Sequence, residues 1–114
     1  MPMELPSFNQ EQIASWRVLS YVDLAFEVIS PFVGDSLLPE ELRRIIIKGY
    51  SGFDHPEVAP LTALRDKEFL LELYHGPTLA FKDFALQVLG RLLDHVLTKN
   101  DQRVVILGAT SGDT

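Results

Sequence analysis

Residues 69–114 read FLLELYHGPTLAFKDFALQVLGRLLDHVLTKNDQRVVILGATSGDT, and this stretch decides the fold class. Phe69 to Tyr74 is a short apolar run of strand length, and His75-Gly76-Pro77-Thr78 has the composition of a turn. From Ala80 to about Leu97 the apolar residues recur at helical spacing. Asn100-Asp101 marks a turn, and Val104 to Leu107 is a β-branched run suited to a buried strand. Strand, helix, strand is the unit of a parallel sheet, so the expected class is α/β.

Upstream the character is helical. Asn9 or Ser7 can cap a short helix through Glu11, Ile13 and Trp16. Ser20, with Asp23 three residues on, approximates a capping box before a helix that Pro31 is expected to end, and Gly34-Asp35 suits a turn. Pro39 suits the first turn of a third helix, with Glu40 and Glu41 at its positive end and an apolar face of Leu42, Ile45, Ile46 and Tyr50. Glu40, Glu41, Arg43 and Arg44 read as a solvated face, and Trp16, Phe26 and Phe32 as core residues. Ser51 to Pro60, with two prolines and a glycine, is the best internal boundary. The organisation expected is a helical region over 1–60, followed by the start of an α/β domain over 61–114.

Composition narrows the function. With 114 residues and 46% hydrophobic content the chain can build a core. A net charge of −6 gives no basic field for nucleic acid or an anionic membrane. No run is long and apolar enough to span a bilayer, and Met1 to Asn9 does not read as a signal peptide. The absence of cysteine excludes thiol nucleophiles and zinc-thiolate sites and suits the cytoplasm. His55 has no partner at metal spacing, so no metal site is expected.

Two places carry chemistry. In the helix after Phe81, Asp83, Gln87, Arg91 and Asp94 form the polar face, while Phe81, Ala85, Leu89, Leu92, Leu93 and Val96 form the apolar one. Lys82 heads the row Lys82, Leu86, Leu89, Leu93, which is otherwise apolar. A lysine in such a row either snorkels to water or is neutralised, and a neutral amine can form an imine with an aldehyde. The pattern by itself leaves the solvated reading open. The second place is Gly108-Ala109-Thr110-Ser111-Gly112-Asp113-Thr114, where hydroxyls, glycines and successive amides can bind a carboxylate or phosphate. An ordinary capped strand-to-helix turn would look the same. The loop matches neither the Walker A motif nor the dinucleotide-binding fingerprint.

Taken together, HGPTLAFKDFAL (75–86) and GATSGDT (108–114) resemble the threonine synthase family, as do ISPFVGDSLLPEELRR and FDHPEVAPL upstream. The resemblance covers nearly the whole chain. It implies a pyridoxal-phosphate enzyme of the tryptophan-synthase-β type that converts O-phosphohomoserine and water to threonine and phosphate. It implies that Lys82 is the Schiff-base lysine and proton shuttle. Thr110, Ser111, Gly112 and Thr114 then contact the substrate carboxylate, and Asp113, where many relatives of the wider fold carry asparagine, lies near the cofactor ring. His75 falls either at the site's edge or in a turn that it caps.

The family's glycine-rich grip on the cofactor phosphate lies far downstream of these motifs. The chain is therefore expected to be a front piece of such an enzyme, inactive by itself and prone to self-association through Val104 to Leu107. The alternatives are another lyase or deaminase of the same fold type, or a threonine-synthase-like interaction module without catalysis.

Overall fold

In the computed structural model, residues 5–109 and Gly112 are described. They form two compact units, Met1–Ile47 and Lys48–Thr114.

In the first unit, α1 (Gln10–Ser15) begins with a full capping box: Gln12 N donates to Asn9 Oδ1 at 2.8 Å, and Asn9 N to Gln12 Oε1 at 3.0 Å. Phe8, just before the cap, meets Trp16 edge to face at 4.9 Å. A 3₁₀ turn, Trp16–Val18, leads to α2 (Tyr21–Val33), capped by Ser20, whose hydroxyl both accepts from Asp23 N and donates to its carboxylate.

Pro31 does not end α2. The helix runs to Val33 and stops at Gly34, whose φ of +54° leaves the right-handed region. A proline removes a single backbone bond, and within the last turn the helix tolerates that loss.

α3 (Pro39–Tyr50) buries the face expected of it: Leu42, Ile45, Ile46 and Tyr50 are all core. Its charged face is not simply solvated. Glu41 accepts from Leu38 N at 2.9 Å, closing the helix start. Arg43 pairs with Asp23 and lies 4.5 Å over the Phe26 ring. Phe32, expected in the core, is about half exposed, on the turn that ends α2.

In the second unit the sheet is an antiparallel hairpin. β1 (Leu61–Arg65) pairs with β2 (Glu68–Leu71) in the register Leu61↔Leu71, Thr62↔Leu70 and Ala63↔Phe69, with an irregularity before Arg65↔Glu68. Lys67, at φ +59°, turns the chain, and Arg65 Nε reaches Glu68 at 2.7 Å. The apolar run at 69–74 is therefore only partly strand, because its local partner is the segment just before it. Adjacent strands joined by a tight turn pair with little loop-closure cost.

α4 (Asp83–Lys99) follows, three residues later than Ala80, since Ala80–Lys82 form turns. Asp101, at φ +49°, closes its C-terminal end with Gln102 N bonded to Leu97 O. Val104 to Leu107 belongs to no strand among the described residues, and Val105 and Leu107 are 97% exposed. The strand-helix-strand unit of a parallel sheet is thus absent among the described residues: a β-run becomes a strand only with a neighbour to bond.

The packing of α4 inverts its expected faces. Val88 and Asp83 are buried, while Leu86, Leu89, Leu93 and Val96 are 37–47% exposed. The end of α3 explains this. Gly49 lies so close that a Cβ there would sit 2.8 Å from Val88 Cγ2. Tyr50 donates its hydroxyl to Phe84 O at 3.1 Å, and Phe53 stacks edge to face between Tyr50 and Phe84. Among the described residues no helix is long and apolar enough to cross a membrane.

Candidate functional site

The segment between β2 and α4 holds the predicted lysine. Lys82 is the residue immediately before α4; it is half-buried, and its carbonyl accepts from Ala85 N at 3.2 Å and Leu86 N at 2.9 Å. The leucines of its row continue from it along α4, exposed rather than packed.

Asp83, one residue on, is 2% exposed. Its Oδ2 accepts from Thr78 N at 2.8 Å and from Thr78 Oγ1 at 2.9 Å, and its Oδ1 accepts from the Gln87 amide at 3.2 Å. Burial pushes this carboxyl up, but the Thr78 amide, the Gln87 amide and the Thr78 hydroxyl together hold it below the ordinary carboxylate range. Asp83 belongs to a polar face by pattern, yet it is the buried anchor of the loop before it. The signal in the sequence is the combination Gly76, Thr78, Asp83. A small residue lets the backbone lie against the carboxylate, and a hydroxyl five residues upstream reaches back to it.

Gly76 is required by that closeness. A Cβ there would stand 2.4 Å from Asp83 Oδ2 and 2.7 Å from Cγ. Between the two, Leu79 takes φ +64°, a left-handed conformation unusual for leucine, with its N bonded to Gly76 O at 3.0 Å.

His75 is gripped from both sides. Nδ1 lies 2.7 Å from Asp54 Oδ1, and Nε2 lies 2.7 Å from Glu72 Oε2. Only the protonated ring has an N–H for each acceptor, and its pKa is raised, first by Glu72 and then by Asp54 against partial desolvation. Glu72 also accepts from Thr62 Oγ1 at 2.7 Å and Tyr74 Oη at 2.9 Å. His75, then Thr62 and Tyr74, hold it down to about 2. Tyr74 and His55 stack against the His75 ring at 4.6 and 4.9 Å. Asp54 N donates to His75 O at 3.0 Å, so the loop over 51–60 is tied to the His75 backbone as well. Asp54 and Glu72, which sequence reasoning passes over, are what fix this histidine.

Of the glycine loop, Gly112 is described, at φ +99°. Thr110, Ser111, Asp113 and Thr114 lie outside the described residues, so the expectations placed on them are neither met nor contradicted. Among the described residues no His, Asp or Glu cluster could hold a metal ion.

Residues 1–50 match the family described as "Threonine synthase N terminus". Over its whole length the chain is similar to threonine synthases. It is 58% identical to threonine synthase of Pseudomonas aeruginosa, covering all of this chain and 24% of that protein. It is 42% identical to threonine synthase of Schizosaccharomyces pombe and 41% identical to "Threonine synthase-like 2" of Homo sapiens, again over all of this chain and 24% of each. Among solved structures, PLP-bound threonine synthase from Brucella melitensis superposes with a TM-score of 0.93 at 46% identity, over 99% of this chain and 24% of that one. Yeast threonine synthase superposes with a TM-score of 0.78 at 38% identity, over 86% of this chain and 20% of that one. The chain thus spans about a quarter of the length of the relatives it matches.

Proposed function

We propose that this chain is the front quarter of a pyridoxal-phosphate-dependent threonine synthase, a lyase that converts O-phosphohomoserine and water to L-threonine and phosphate in the cytoplasm. The observation that carries this is the likeness along the whole chain, 58% in sequence to a threonine synthase and TM-score 0.93 to a PLP-bound one, with Lys82 set at the head of α4.

The residues present fit the cofactor. Lys82 is half-buried at the head of α4, and the leucines of its row are exposed, an apolar surface for the cofactor ring. When bound, pyridoxal phosphate supplies an aldehyde for that amine and a ring that withdraws electrons from the substrate. Lys82 Nζ holds the cofactor and takes and returns protons at the substrate carbons. In the balanced reaction phosphate leaves the γ carbon and the oxygen of water ends on the β carbon.

In this reading Thr110, Ser111, Gly112 and Thr114 bind the substrate's α-carboxylate through hydroxyls and amides, and Asp113 is assigned to the cofactor ring. In this reading residues 1–60 are the helical N-terminal region and 61–114 open the cofactor domain. Val104 to Leu107 becomes a strand of a parallel sheet once its neighbours are present.

The test is a chimera in which this chain replaces the matching segment of the Pseudomonas aeruginosa relative. It is expected to release phosphate from O-phosphohomoserine, and borohydride reduction with pyridoxal phosphate is expected to mark Lys82 in a peptide map. Lys82→Ala should abolish both. A folded chimera in which no lysine of this segment is marked overturns the assignment.

A second reading, a threonine-synthase-like protein without synthase activity, draws on the 41% identity to the human relative named threonine synthase-like 2. Labelled Lys82 without phosphate release would favour it.

A further inference from the structure

We propose that Asp83 is a positioning residue for Lys82, acting by clasping Thr78 across the seven-residue loop from Gly76 to Lys82. The inference rests on the reading above, in which Lys82 carries the chemistry.

The loop enters α4 with Lys82 as its last residue, and it is tied at three levels. Leu79 N bonds to Gly76 O at 3.0 Å, and Asp83 N bonds to Ala80 O at 3.0 Å. Across these two turns Thr78 delivers both its amide and its hydroxyl to one oxygen of Asp83. The Gly76 backbone closes against the same carboxylate. On its other side Lys82 is fixed by α4, through the bonds its carbonyl accepts from Ala85 and Leu86.

Three features mark the clasp as more than a helix cap. The carboxylate is almost wholly buried, although an exposed aspartate at a helix start would interact favourably with the dipole at no desolvation cost. It reaches back past Lys82 to a residue five positions upstream rather than to its own first turn. The loop it closes also contains Leu79 in a left-handed conformation, which persists only where the surroundings over-determine it. The helix can form without any of this, since α4 keeps its packing through Phe84 and Val88. What the clasp determines is where the residue before the helix stands. A reactive amine displaced by about 1 Å loses on the order of 100-fold in rate.

The test uses the chimera, with Asp83→Asn, Thr78→Val and Thr78→Ser. Asp83→Asn removes the charge that draws both Thr78 donors. Thr78→Val removes one donor, and Thr78→Ser keeps both. The readouts are the rate of borohydride labelling of Lys82 per folded molecule and the split between kcat and KM for O-phosphohomoserine. Asp83→Asn and Thr78→Val are expected to slow labelling about 10–100-fold and to lower kcat with KM little changed, while Thr78→Ser stays within about twofold.

Labelling at the parental rate in folded Asp83→Asn overturns the proposal. So does a loss that appears only as less folded protein, with the rate per folded molecule unchanged. If Asp83→Asn does not fold, Thr78→Val against Thr78→Ser decides the matter by the same criterion. Failure of the underlying reading looks different: Lys82 is then unlabelled in the parent chimera itself.

Discussion

Of the glycines, Gly76 leaves the least room for a side chain, and that closeness to Asp83 can be tested directly. Gly76→Ala puts a methyl 2.4 Å from Asp83 Oδ2, 2.5 Å from its Cβ and 2.7 Å from its Cγ, where the carboxylate is buried and already bonded three ways. The chain has two escapes. It can keep the clasp and deform around the methyl, which as core overpacking costs about 1–3 kcal/mol. Or it can swing Asp83 away and forfeit hydrogen bonds to a charged group, at about 1.5–3 kcal/mol.

The cheaper route sets the loss, and the two ranges meet near ~2 kcal/mol, a fall of roughly 30-fold in the folded-to-unfolded ratio. Urea unfolding of the 114-residue chain followed by far-UV circular dichroism measures it, and hydrogen exchange at the Thr78 amide reports the clasp itself. Gly90→Ala is the control. It lies inside α4 with nothing within 4 Å of the added Cβ, and it should gain about 0.5–1 kcal/mol from helix propensity. If Gly76→Ala unfolds at the parental midpoint with Thr78 equally protected, the clasp does not hold the loop and the reasoning fails.

Two further predictions follow from charge and exposure. The pKa of His75 is raised above 6.5 in the folded chain, so its contribution to stability is full below pH 6.5 and is lost as pH rises through the folded value; that of Glu72, lowered from 4.5 to about 2, is full above pH 4.5 and is lost as pH falls toward 2. The pair therefore stabilises most between pH 4.5 and 6.5, and His75→Gln should flatten the decline in urea midpoint above that window; an unchanged slope refutes the pairing. The exposed Leu86, Leu89 and Leu93 row should make the 114-residue chain self-associate, and Leu89→Lys with Leu93→Glu should shift it toward monomer in sedimentation velocity. A parental chain that stays monomeric as concentration rises would show that the row is harmless.

What the sequence discloses depends on whether the information is local. The α3 face and the Asn9 and Ser20 caps are written in spacing of three and four residues, and they appear where that spacing puts them. Local spacing also puts Lys82 next to a helix start, and it stands immediately before α4.

α4 defeats the same logic, because periodicity says which side of a helix is apolar and not which side meets a neighbour. Here the neighbour is the Gly49–Tyr50–Phe53 surface, and it takes Phe84 and Val88. β1 is overlooked because LTALR is short and mixed, and only pairing with EFLL makes it a strand. The grip on His75 comes from Asp54, 21 residues away in sequence, together with nearby Glu72. No periodic pattern connects residues so far apart. Arg43 is similar: its charge suggests solvent, and its partners Asp23 and Phe26 lie a helix away.

The inverted packing of α4 also bears on biosynthesis. A nascent chain built like the relatives, in which 114 residues are 24% of the length, has about 360 residues still to be added when this segment leaves the ribosome. At ~5–20 residues per second that is roughly 20–70 s of translation. Throughout it, Leu86, Leu89, Leu93 and the 104–107 run would stand in water, already ordered on one side and open on the other. Such a surface is what chaperones that bind short apolar segments select. In a chain built that way, a segment that emerged first with this surface would be a natural point of chaperone engagement during synthesis.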